Sequence, residues 1–186
     1  MKKIFVLFVF MSLICPIYSE ENASTISPDG EYTFVYQTNG KINKFINGQD
    51  YDLVIYDAKS RKTIKKITSL VWVDKIKWSP DSKRLMVQMH TRYSSLINLY
   101  PINSNKTLYV DLWNYVLKNE EKYGFEPTEK NPYPNLVFLE WDKDTENMIA
   151  DYSFTDKKGE HRGKLLYDIK NGKIIKLIDD KLADSK

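Results

Sequence analysis

Past its first two dozen residues the chain is written in apolar runs of strand length separated by polar turns. Three of these runs, residues 32–37, 85–89 and 148–154, follow turns of one type. Ser27-Pro28-Asp29-Gly30 precedes the first, Ser79-Pro80-Asp81-Ser82 the second, and a degraded copy, Asp142-Lys143-Asp144-Thr145, the third. Proline presets φ at the first central position, aspartate accepts from nearby amides, and glycine tolerates a left-handed exit. Leads ending in tryptophan, Lys75-Ile76-Lys77-Trp78 and Val137-Phe138-Leu139-Glu140-Trp141, open the second and third copies, whereas only residues 23–26 stand ahead of the first. Each unit continues with a further run (53–57, 96–100, 165–168) and a closing one (63–67, 107–112, 173–178). Asn171-Gly172 is a hairpin signal between the last two runs, and Asn39-Gly40 and Asn47-Gly48 mark turns in the first unit. The pattern predicts four-stranded antiparallel meanders at residues 25–67, 73–112 and 135–178, the first lacking a clear opening strand.

An aromatic residue before Ser-Pro-Asp-Gly, a short apolar strand, and a later strand ending in Tyr-Asp resemble the WD-like β-propeller repeat of TolB-type proteins. The match is best at residues 78–87 and 50–57 and extends over most of 25–178. The resemblance implies blades that bind partners in envelope proteins or that accompany peptidases. The blade motif itself contributes no catalytic residue. The expected fold is therefore all-β: three propeller-type four-stranded antiparallel blades, open or incomplete, with one inserted helix. Closed propellers use four to eight blades, so three leave apolar faces in need of cover. An open curved stack capped by the insert or a partner, a homodimer covering the open faces, and an unusual closure of the end strands all satisfy that need.

The insert at 112–134 is the least repeat-like segment. Asp111 caps a helix expected from Leu112 to about Tyr123, with Gly124 as its stop and Pro127 beyond. Trp113, Tyr115, Tyr123, Phe125 and Tyr133 make this segment aromatic, and they are the candidate partner-binding residues. The competing reading is a crossover helix that packs its apolar face on a sheet edge.

The first nineteen residues are different in kind. Lys2 and Lys3 lead into an apolar stretch at 4–14, and Ser19 precedes two acids, the layout of a cleaved secretory signal. The stretch is shorter than the roughly 17–25 residues of a membrane span. The expectation is a signal peptide at 1–19, a single domain at 20–186, and a periplasmic or secreted protein without stable membrane insertion. Lipidation at Cys15 is the minor alternative, because bulky Ile14 precedes it. Without Lys2 and Lys3, 26 basic residues face 25 acidic ones, and no basic surface for nucleic acid is implied. Cys15 is the sole cysteine, so cleavage leaves a chain whose stability must come from packing.

Catalytic chemistry finds little support. The two histidines, His90 and His161, lie in different repeats without metal-type spacing, and no Gly-x-Ser-x-Gly elbow is present. Asp142, Asp144 and Glu146 alternate like a calcium loop but lack its glycine and closing glutamate. The lysine and arginine run at 59–66 has no interleaved aromatic residues for stacking on bases. These readings point to a non-catalytic protein-binding module of the envelope, with no metal or cofactor. An inhibitor or immunity role against a toxin suits its size. A small-ligand binder is the alternative and a hydrolase the remote one.

Overall fold

The computed structural model describes residues 25–43, 48–70, 72–91, 93–127, 134–142 and 147–183. The expected signal peptide, Cys15, Tyr133 and residues 143–146 of the third turn lie outside the described residues. The first blade is β1 (Tyr32–Asn43), β2 (Gly48–Asp57) and β3 (Thr63–Leu70), in that order across the sheet. An isolated bridge between Ile26 and Thr33 stands where an opening strand would be. The second blade is β4 (Val73–Trp78), β5 (Arg84–His90), β6 (Ser95–Pro101) and β7 (Leu108–Tyr109). The third is β8 (Asn135–Trp141), β9 (Asn147–Thr155), β10 (Glu160–Asp168) and β11 (Lys173–Ala183). Every pairing within a blade is antiparallel, and one parallel bridge, Ser95 to Asn135, links the second blade to the third. The architecture is an open, all-β, propeller-like stack.

Strand alternation explains the stacking. In β5, Leu85 and Val87 point toward the first blade, where they join Phe34, Leu53 and Ile55; Met86 points the other way, toward Phe138 and Ala150. Leu85, Met86 and Val87 are all fully buried, as a strand covered on both faces requires. Trp78, the residue before the second turn, fills the first interface, and its indole nitrogen donates to the Thr25 carbonyl at 3.2 Å.

The repeated turns build themselves locally. The Ser27 hydroxyl donates to Asp29 Oδ1 at 2.6 Å while its oxygen accepts from the Tyr32 amide at 2.9 Å. Ser79, Asp81 and Arg84 repeat this at 2.6 and 3.0 Å. The two turns also touch, the Asp29 amide donating to Ser82 Oγ at 3.1 Å. Gly30 takes the left-handed exit at φ 75°, and Ser82 takes it without glycine at φ 59°.

Two expectations change in detail. The closing strand of the second unit, expected over 107–112, pairs only at Leu108 and Tyr109. The single inserted helix is two: α1 (Leu112–Lys118) and α2 (Glu120–Tyr123). Asp111 caps α1 through the Asn114 amide at 3.0 Å, as its position suggests. The break falls at Asn119, whose side chain donates to the Tyr115 carbonyl at 2.8 Å and competes with the backbone ladder. Gly124 closes α2 in the left-handed conformation, φ 68°.

Candidate functional site

Sheet register places many of the loops at one end of the stack. A row of paired residues runs His90, Ser95, Asn135, Ser153, Arg162 across both larger blades. Beyond it lie the β5–β6 loop, the end of the insert and the β9–β10 hairpin. The Ser-Pro-Asp turns occupy the opposite end. Two histidine–aspartate pairs sit near this row.

The first pair opens on solvent. β4 begins where β5 ends, so Val73 pairs with Met89 and brings Trp72 and Asp74 beside His90. His90 Nδ1 lies 2.6 Å from Asp74 Oδ1, with roughly half and a third of the two side chains exposed. The Trp72 ring stacks on the His90 ring, centroids 5.6 Å apart and planes within 5°. Trp72 holds φ at +47°, a left-handed conformation in which a bulky side chain is strained by about 1–3 kcal/mol. The His90 amide donating to the Trp72 carbonyl at 3.0 Å is one contact that holds it there. Tyr93, in the next loop, is exposed. Asp74 can fix the imidazole orientation so that Nε2 points outward, an arrangement suited to accepting or donating one hydrogen bond to a docked surface.

The second pair is buried. His161 faces Asp156 at 3.1 Å between Nε2 and Oδ2, with 6% and 0% of the side chains exposed. Phe154 stacks on the imidazole at 4.8 Å and Phe125 meets it edge-on at 5.0 Å. Asp156 accepts from the Glu126 amide at 2.7 Å and from the Lys158 and Gly159 amides at 2.7 and 3.2 Å. Burial alone would raise its carboxyl; the amides of Glu126 and Lys158 and the charge of His161 outweigh that and hold it below its ordinary value. The pair therefore stitches the end of the insert to the β9–β10 hairpin.

The described aromatic residues of the insert pack against the third blade, Phe125 fully and the others in part. Phe125 is buried, its ring shared among Tyr123, Phe154 and His161, and in this conformation it presents no surface to a partner. Trp113 is half-buried with its ring edge-on to Phe154 at 6.3 Å. Tyr115 and Tyr123 are half-buried and share a hydroxyl contact at 3.1 Å. Burial and the Tyr123 hydroxyl push the Tyr115 phenol upward. Tyr133 lies outside the described residues. The four described candidates are thus brought together, but as the packing between the insert and the third blade.

Trp72, Asp74 and Asp156 carry no motif in the sequence, and the spacing of the two histidines speaks only against a metal site. The β4–β5 register was the signal for the first pair, because a hairpin turning at 79–82 brings position 90 beside positions 72–74. A half-open polar cleft of about 420 Å³ lies on the first blade, lined by Asn39, Lys41, Asp52, Lys66 and Ser69 among others. Asp52 is held there by Lys66 at 2.8 Å and Asn39 at 2.9 Å, which lower its carboxyl. Among the described residues no cluster has three or more metal-type ligands, and no helix is long and apolar enough to cross a membrane.

No family model and no curated protein matches the chain. Solved structures similar to it include the β-propeller domain of the Trilobed protease from Pyrococcus furiosus. The two are 16% identical, with a TM-score of 0.49 over 84% of this chain and 42% of that one. The acylaminoacyl peptidase of Pyrococcus horikoshii is 14% identical, with a TM-score of 0.48 over 84% and 24%. A putative 6-phosphogluconolactonase from Bacteroides uniformis is 15% identical, with a TM-score of 0.42 over 86% and 40%. The chain spans less than half the length of each. Similarity at this level concerns the fold.

Proposed function

We propose that this chain is an exported, non-catalytic protein-binding module of the cell envelope, and that it docks through the loop end of the stack. The observation that carries the reading is Trp72: a bulky residue held at positive φ, stacked on a solvent-facing histidine whose orientation an aspartate fixes. Strain of this kind persists where surrounding structure enforces it and tends to gather at binding sites. Tyr93, in the loop that follows β5, is exposed as well, and tryptophan and tyrosine are the residues on which interface energy concentrates. Export is supported by the layout of residues 1–19, and kinship with TolB-type repeats by the motif at 78–87.

Trp72→Gly tests the proposal, since glycine takes positive φ without strain. The variant should unfold within about 1 kcal/mol of the parent, relief of strain offsetting the lost stacking. Its capture of envelope protein, by crosslinking in extract, should fall at least about tenfold, the loss of a modest interface anchor. Undiminished capture by both Trp72→Gly and Tyr93→Ala would remove the loop end from the proposal. The cleft at Asp52 favours a second reading, a small polar ligand. A thermal-shift panel of sugars and anions, lost in Lys66→Ala, would support it.

A further inference from the structure

We infer that two copies of this chain pair face to face through the outer face of the third blade, about a two-fold axis parallel to its strands and midway between β9 and β10. This contact is independent of the docking proposed for the loop end.

The third blade leaves one face uncovered by described residues. Leu136, Phe138, Ala150, Leu165 and Leu177 point into the core. The residues alternating with them point the other way. Register sets these into two rows across all four strands: Val137–Asp151–Lys164–Ile178 and Glu140–Ile149–Leu166–Lys176. Val137 is 41% exposed, and Leu139, in the β8 bulge between the rows, is 36% exposed. Ile149, Leu166 and Ile178 are half-buried. Stacked repeats that end in solvent carry polar outer faces. Here apolar residues take half of the eight row positions. The outer face of the first blade differs: Val54 is already buried, and Asp52 and Lys66 pair at 2.8 Å in the polar cleft.

The order of residues within the rows names the occupant. A two-fold axis between two such faces lays β8 of one copy over β11 of the other, and β9 over β10. In the first row Val137 then meets the partner's Ile178, and Asp151 meets the partner's Lys164. In the second row Glu140 meets the partner's Lys176, and Ile149 meets the partner's Leu166. Each contact occurs twice, as an isologous interface requires. At all eight positions apolar residues oppose apolar ones and acids oppose lysines. Among the described residues none of the four charged side chains has an ion pair within its own chain. A face written to receive a different sheet has no reason to be its own complement. The contact between the second and third blades shows the contrast, since its centre is a cluster of apolar side chains.

The area sets the strength. Four strands about 4.8 Å apart and about 25 Å long present roughly 500 Å² a copy, so the pair buries roughly 1,000 Å², the small end for a specific interface. The charge pairs fix register and orientation more than they add affinity.

Sedimentation equilibrium of the purified chain from about 2 to about 200 µM should show the mass rising toward that of two chains, with a Kd on the order of 10 µM. Val137→Arg should weaken the dimer at least about tenfold. Glu140→Lys and Lys176→Glu should each weaken it at least about fivefold, because each sets like charges together at two places. Within one chain positions 140 and 176 lie on the first and last strands of the blade, about 14 Å apart, and do not compensate for each other. An equimolar mixture of these two variants should nevertheless recover the parent affinity, since every charge on one then meets its opposite on the other. All three positions are solvent-exposed within one chain, so unfolding midpoints in dilute solution should match the parent's. A parent chain that stays monomeric across that range, a dimer indifferent to Val137→Arg or to the charge reversals, or a mixture no tighter than its components would overturn the inference. A mass climbing past two chains would show an open contact through another face, and would overturn it too.

Discussion

His90 and Asp74 meet at 2.6 Å on a half-open rim, while His161 and Asp156 meet at 3.1 Å with almost no solvent access. Each imidazole has an aromatic ring stacked on it, Trp72 at 5.6 Å in one case and Phe154 at 4.8 Å in the other. The residue types nearly repeat; the surroundings do not. Around Asp156 three backbone amides converge on a carboxylate that is itself shut off from solvent. Around Asp74 water remains present and screens the pair. The buried pair therefore holds the insert against the third blade, whereas the open pair can change its partners at little cost to the fold. The same chemistry is structural in one place and available for recognition in the other.

The contrast can be broken most directly at the stacked rings. Phe154→Ala should destabilise the chain by about 3–5 kcal/mol, because it empties a packed site under Phe125, Trp113 and His161. Urea unfolding measures this, and a cost below about 1 kcal/mol would mean that the insert does not depend on that ring. Asp156→Ala comes next, at about 3 kcal/mol, since it removes the acceptor of three amides and the partner of buried His161. The same method checks it, with insert-to-hairpin protection in hydrogen exchange as a second reading.

Acid sharpens the comparison with a smaller effect. Asp156 titrates below its ordinary 3.8 in the folded chain, so the unfolded chain takes up the proton first as pH falls. The stabilisation is complete above the unfolded value and is lost as pH drops through the folded one. His161, Glu126 and Lys158 are the ionisable neighbours of this carboxylate. Stability measured from pH 6 down to pH ~2.5 should fall less steeply in Asp156→Asn than in the parent. Asp29 and Asp81, also held low in their turns, should leave a residual slope in the variant. Smallest of all is Asp74→Asn, expected within about 0.5 kcal/mol of the parent. A larger loss would show the open pair to be structural after all.

Local chemistry was legible in the residues alone. The Ser-Pro-Asp turns close through bonds that span two to five residues, so their composition is enough to specify them. The three units, the order of their strands and the cap at Asp111 follow from such short-range rules. The break at Asn119 was local too, but a polar residue on an otherwise helical pattern does not announce whether its amide will turn back on the backbone. What joins residues far apart belonged to the tertiary structure. Trp72, Asp74 and His90 meet only through the β4–β5 register. Phe125 meets His161, and the Glu126 amide meets Asp156, only once the insert lies on the β9–β10 hairpin. An aromatic residue in a loop reads the same in sequence whether it faces a partner or a core, because burial is decided by which distant face arrives to cover it.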